Sequence, residues 1–482
     1  MSIINNHKDM IHIHTFPNGF RVIYQKPKQS LPITSAHVFC NVGSSLETEN
    51  VRGVCHFVEH MCFKGTKTIL NSNQLFISYD KIGAYINAYT EKEYTCYTLK
   101  CADIFFENSA KILSDMMLNS VFSKNECIKE QKVIVEENIR DINDNEWFFF
   151  DKLNTIFYAG SSFEYPIDSI KYHPNANVLK YKDVVEWYQW FYHPEKMVLS
   201  VTSNIPFSDI IHMLKKSFFV KEKSRNSNKI PSIITKNALS YPILDLLPIC
   251  SKNNKIRIEI FKKKGISTNF VGVGFRTCDK KNQDRYPLQI LNHILNGLSG
   301  RLFTLLRDKH GLTYRSDSVV EHKIHTGYFL IYAETDPQKT IHGNDDGDEK
   351  NRSSSSKKMG VLPIIIQLMK DLREKGITNE ELNTFKGNIK GKYLMNLEDI
   401  DNITTYNGIE YLTSMNDDHF KQNFVDYNDI YDKYIAKITK EQIQEIIHKY
   451  FIVDNMVVYI LGEKTPSLKQ VENVCDLFYN TK

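Results

Sequence analysis

Two histidines four residues apart, His56 and His60, with Glu59 beside the second, are the residues in this sequence best suited to chemistry by type and spacing. On a helix, positions four apart share a face, so both imidazoles can reach one divalent cation while Glu59 projects near it. A metal site that activates water needs three protein ligands and one open position. This HxxEH pair must therefore be completed from elsewhere, and a carboxylate is the expected third donor. Downstream, Glu130 and Glu137 lie seven apart, two helical turns, and share a face, whereas Glu136 points about 100° away. Spacing leaves two readings open: a metal site, or histidines and acids solvated on helix surfaces.

The elements that carry these groups belong to a chain of 482 residues, about three times the usual domain length, so two or more globular units are expected. With 41% hydrophobic and 12% aromatic residues against 24% charged, the composition supports packed cores and excludes a disordered chain. Lys and Arg total 61 and Asp and Glu 57, a net +4 that offers no general attraction for nucleic acid or an anionic membrane. The nine cysteines are scattered without CxxC spacing, which fits free thiols and argues against a disulfide framework or a sulfur-bound zinc. The segment MSIINNHKDMIHIHTF lacks the apolar core of a signal peptide and the Arg-rich character of a mitochondrial presequence. No apolar run approaches the roughly 18 residues needed to cross a bilayer. A soluble, intracellular protein without a membrane span is expected, cytoplasmic unless an internal signal directs it to mitochondria.

Along the chain, the runs GFRVIYQ and ITSAHVFCNVG read as paired strands split by a Pro-containing turn. Helical periodicity follows near 51–64, 72–82, 102–119 and 124–150, with two adjacent strands in GAYINAYTEKEYTCYTLKC turning at Glu91–Lys92. A helix near 180–192 and the strand MVLSVTS close this half. The second half replays it: strands IRIEIF and NFVGVGF, helices, then strands around 313–320 and 327–335. Leu75-Phe76, Asp80-Lys81 and Gly83 recur as Leu302-Phe303, Asp308-Lys309 and Gly311, at offsets of 227 and 228 residues. The expected fold is α+β, two duplicated domains, each a mostly antiparallel sheet packed with helices. The boundaries read as 1–220, a polar linker over 221–253, and 254–482 with a disordered Ser/Asn/Gly-rich insertion at 342–358.

The stretch GVCHFVEHMCFKGT resembles the inverted-zincin region of the insulinase or pitrilysin family of metallopeptidases, most of all its short-chain branch containing the β subunit of mitochondrial processing peptidase. In that family the third ligand follows the second histidine by 77 positions, which here is Glu137. Similarity extends to FPNGFRVIYQ, GAYINAYT, KVIVEENIRD, YHPEKMVLSV and SGRLFTLLRDKHGLTY, and so to both halves. The resemblance implies one zinc ion per chain on His56, His60 and Glu137, with Glu59 as general base and Glu130 orienting His60 or its helix. It implies Arg307 and Tyr314 as stabilisers of the developing oxyanion. It also implies that an extended peptide pairs with the edge strand Gly83–Thr90, where Asn87 and Ala88 occupy contact positions. Of the two acidic positions that recognise arginine in processing peptidases, Asp151 keeps one, but Trp147 fills the other beside Glu146. Presequence-type selectivity is therefore not carried over. The run Trp147-Phe148-Phe149-Phe150 can line an apolar pocket or pack in a core. The implied activity is zinc-dependent endopeptidase cleavage of extended peptides or unfolded segments. The alternative is a catalytically inactive scaffold or partner subunit, although such chains typically lose zinc ligands or gain a long glycine loop, and this one offers only Gly297-Leu298-Ser299-Gly300. Because the family's chamber takes four domains, a homodimer or a heterodimer with a related chain is expected.

Overall fold

The computed structural model of the protein describes residues 11–168, 179–221, 256–343, 358–414 and 424–479, with residues 233 and 249. It contains two sheets whose strand orders repeat one another. The first runs β1-β2-β6-β3-β5-β4, from Ile11–Thr15 (β1), Arg21–Gln25 (β2), Ile33–Cys40 (β3), Tyr85–Thr90 (β4), Thr95–Ala102 (β5) and Met197–Thr202 (β6). The second runs β7-β11-β8-β10-β9, from Arg257–Lys262 (β7), Asn269–Thr277 (β8), Thr313–His322 (β9), Gly327–Thr335 (β10) and Met456–Gly462 (β11). In both sheets the only parallel neighbours are the equivalent pairs β2–β6 and β7–β11, and every other ladder is antiparallel. The duplication expected from the sequence is thus present as topology, with β1 added to the first copy.

Two strands have no counterpart among the expected elements. β1 is a short, half-exposed edge strand, and β11 is a continuously buried apolar run that periodicity alone does not separate from a helix. The helix expected over 124–150 is two helices, α4 (Lys124–Asn143) and α5 (Asn145–Phe157), counted after α1 (Val54–Met61), α2 (Ser72–Asp80) and α3 (Phe106–Leu118). Asp144 makes the break: its backbone is extended, and its carboxylate accepts the Trp147 N–H at 2.9 Å, a cap that outweighs the helical periodicity.

The compact units are discontinuous in sequence, unlike the linear division at 1–220 and 254–482. One comprises 1–141, 165–242 and 394–430, the other 142–164, 243–393 and 431–482. In the first unit, helix Ile400–Thr413 lies on the sheet face formed by Ile23, Phe39, Cys96 and Val198. Gly408 permits that approach, since a Cβ there would sit 2.0 Å from the Phe39 ring. Gln25 ties the segment down, donating to Asp426 at 2.9 Å and accepting from Asn407 at 2.7 Å. In the second unit, α5 plays the same part: Phe149 and Phe157, fully buried, pack on β8 where Gly272 and Gly274 leave room for their rings. The Trp147–Phe150 run therefore contributes to a core through Phe148 and Phe149. Apart from residues 221, 233 and 249, the expected linker lies outside the described residues, as does 344–357 of the expected insertion.

Candidate metal centre

Helix α1 presents both histidines because its other face is fully apolar. Val54, Phe57, Val58 and Met61 are buried completely, and their i, i+3, i+4, i+7 spacing leaves His56 and His60 on the side away from the core. Eight residues form a marginal helix without outside support. Support comes from Glu47, whose buried carboxylate accepts the N–H groups of Gly53 at 2.7 Å and Cys55 at 2.8 Å. Burial lifts the Glu47 pKa to about 7, against the lowering effect of those two bonds. The carboxylate expected as third ligand, Glu137, arrives on α4, whose buried face is Cys127, Glu130, Ile134 and Asn138.

The Nε2 atoms of His56 and His60 stand 3.0 Å apart, and Glu137 Oε2 lies 3.5 Å from His60 Nε2. One donor atom from each residue falls within 4.8 Å of the others. Glu137 Oε2 is buried without a hydrogen-bond partner, while Oε1 accepts from Arg140 at 3.2 Å. Two imidazole nitrogens and one carboxylate oxygen form the donor set that zinc takes in three-ligand sites. A buried, unsatisfied oxygen facing two closely apposed ring nitrogens is also what a missing cation would leave. The residues present fit the ion.

Each neighbour of this cluster has defined contacts. Glu130 Oε1 sits 2.8 Å from His60 Nδ1, and its other oxygen pairs with Lys64 at 2.5 Å. Burial opposes the charge on Glu130, but the bonds from His60 and Lys64 win and hold its pKa below the ordinary carboxylate value. Glu59 is buried beside the histidines and accepts the Thr90 hydroxyl at 2.7 Å. Burial raises its pKa, only partly offset by His56 and Thr90. On the far side of His56, Asp168 Oδ1 is 2.5 Å from Nδ1. Burial works against a proton on His56, yet Asp168 foremost, then Glu59 and Glu137, lifts its pKa to about 9. Spacing in the sequence points to none of Glu47, Thr90 and Asp168, because each meets α1 from a separate segment.

The family model for insulinase (peptidase family M16) matches residues 21–168, and that for the peptidase M16 inactive domain matches residues 179–388. The chain belongs to the insulinase family of peptidases. An uncharacterized zinc protease of Bacillus subtilis is 28% identical over 405 residues, 83% of this insulinase-family chain and 87% of the relative. Another, from Rickettsia felis, is 26% identical over 331 residues, 68% of this chain and 74% of its own. Among solved structures, a protease from Helicobacter pylori superimposes with a TM-score of 0.75 at 20% identity, covering 94% of this chain and 99% of that one. A peptidase M16 inactive domain from Pseudomonas fluorescens gives 0.72 at 16% identity, covering 95% and 98%.

The remaining expected site residues of this insulinase-family chain fall in both units. Asn87 and Ala88 lie on β4, the edge strand of the first sheet, where Asn87 Oδ1 accepts the Ala88 N–H at 2.9 Å. Arg307 and Tyr314 belong to the second unit, and the guanidinium lies 4.3 Å from the centre of the tyrosine ring, which is 86% exposed. Arg307 sits on the π-helical turn Phe303–Lys309 just before β9. Asp151 is buried on α5 in the second unit, its carboxylate 3.4 Å from Lys152. Among the described residues, no helix is long and apolar enough to cross a membrane.

Proposed function

We propose that this chain is a zinc-dependent endopeptidase acting on extended peptides or unfolded protein segments. The observation that carries the reading is the convergence of His56, His60 and Glu137, from two helices, with donor atoms within 4.8 Å and Glu59 alongside. His56 and His60 through Nε2 and Glu137 through Oε2 would hold the ion. Bound zinc would supply Lewis acidity to activate a water molecule for attack on a peptide carbonyl. Glu59 takes up the water proton and returns it to the leaving amine, a task suited to a carboxyl whose pKa is raised by burial. Glu130 orients His60. Arg307 and Tyr314 offer a cation and a phenol for the developing oxyanion. The open edge of β4 around Asn87 and Ala88 can take a substrate strand by backbone pairing, and Asp151 is a further substrate contact in this reading. Two family domains per chain favour a dimer, of identical chains or with a related one. The zinc protease names of the relatives and the family match support the same reading.

A chelator should abolish cleavage of an unfolded protein substrate, and added zinc should restore it. Glu59→Gln should keep zinc but lose about 10²- to 10⁴-fold in kcat, since the base goes and the ligands stay. Cleavage that ignores the chelator would rule out the metal. A zinc-loaded chain that cuts nothing would instead favour the inactive partner-subunit reading.

A further inference from the structure

The two imidazoles are held differently. His60 has Glu130 behind it, 2.8 Å from Nδ1, on the helix that also bears Glu137. His56 is backed by a residue from neither ligand helix, 112 positions downstream. We infer that Asp168 is a positioning residue of the metal centre, holding the Nδ1 side of His56 as Glu130 holds that of His60; the inference rests on the zinc reading above.

Asp168 Oδ1 lies 2.5 Å from His56 Nδ1, and only 14% of each side chain is exposed. The contact is a close ion pair, not an aligned hydrogen bond, and neither atom has a hydrogen-bond partner among the described residues. A histidine offers a lone pair to a metal through Nε2 only when Nδ1 carries the ring proton. A carboxylate at Nδ1 favours that tautomer, limits ring rotation and increases the basicity of Nε2. His56 Nε2 already faces its counterpart on His60 at 3.0 Å. The segment that delivers Asp168 is anchored next to α1: Arg52 lies over the Tyr165 ring, and the Tyr165 carbonyl accepts from Lys92. With Asp168 and Glu130 both in place, each histidine is backed by its own acid, from two different downstream segments.

The test is zinc affinity of the full, metal-stripped chain, measured by competition with a chromophoric chelator alongside the unfolding midpoint of the metal-free protein. Asp168→Ala should bind zinc about 10- to 100-fold more weakly. Asp168→Asn, which keeps an acceptor oxygen without the charge, should fall between that variant and wild type, and both midpoints should stay near wild type. Wild-type zinc affinity in both variants overturns the role of Asp168 and leaves the peptidase reading standing. A wild-type chain that binds no zinc overturns both. Should the variants fail to fold, nitrogen-15 histidine spectra of the zinc-loaded wild type decide. A slowly exchanging proton on His56 Nδ1 supports the assignment, and an unprotonated Nδ1 overturns it.

Discussion

A metal centre made of side chains is also a set of proton sites. In the metal-free chain His56, with its pKa lifted to about 9, carries a proton at neutral pH, which zinc bound as proposed would have to displace. Calorimetry at pH 7 in buffers of different ionisation heat should therefore detect about one proton released per zinc bound. Apparent affinity should weaken by about tenfold for each pH unit below 9, until further ligands protonate. The same shift acts on folding with a fixed sign. A histidine whose folded pKa is raised stabilises the metal-free chain fully below its unfolded value of 6.5, and that contribution is lost as pH rises through about 9. Zinc uptake without proton release would mean that Asp168 does not act on His56 in solution.

Among the elements, α1 and β4 matter most because each positions chemistry through a partner. Glu47 closes the N-terminus of α1 from within the core, with a pKa raised to about 7. An acid raised in this way adds stability fully below its unfolded value of 4.5 and loses it as pH rises through about 7. The unfolding free energy of wild type in urea, relative to Glu47→Gln, should accordingly fall between pH 5 and 7, by up to about 3 kcal/mol. β4 ends at Thr90, whose hydroxyl donates to Glu59, so the strand proposed to pair with substrate also steadies the proposed base. Thr90→Val keeps the shape and removes the bond. It should lower kcat by about 2- to 10-fold with little change in KM, the effect of one hydrogen bond worth about 0.5–1.5 kcal/mol. Unchanged kcat would show that Thr90 only packs.

In the whole molecule, each compact unit takes one helix from the sequence of the other half. Gly408 on the Phe39 ring and Gly272 beneath Phe149 are the contact points that make the exchange possible. Gly408→Ala forces a Cβ to 2.0 Å from a ring buried in a sheet face, and should destabilise by about 1–3 kcal/mol in urea. Gly272→Ala, at 2.8 Å from a ring edge, should cost less. Assembly belongs to the same scale. Light scattering at micromolar protein should find a dimer, and a strictly monomeric chain with full activity would contradict it.

Read alone, the sequence determined the histidine pair, its apolar helix face and the repeat of strands and helices. Each of these depends on neighbours within a few positions, or on a period visible along the chain. His56, Glu59 and His60 sit on one short helix whose spacing dictates which side chains face inward. The family resemblance pointed to Glu130 and Glu137, but tertiary structure alone brought Glu47, Thr90 and Asp168 to that helix. Glu47, Thr90, the α4 pair Glu130 and Glu137, and Asp168 reach α1 from four places in the chain, and the exchanged helices cross any boundary drawn along it. Such contacts follow from how sheets and helices pack their apolar faces, a choice made by the whole core and not by local spacing.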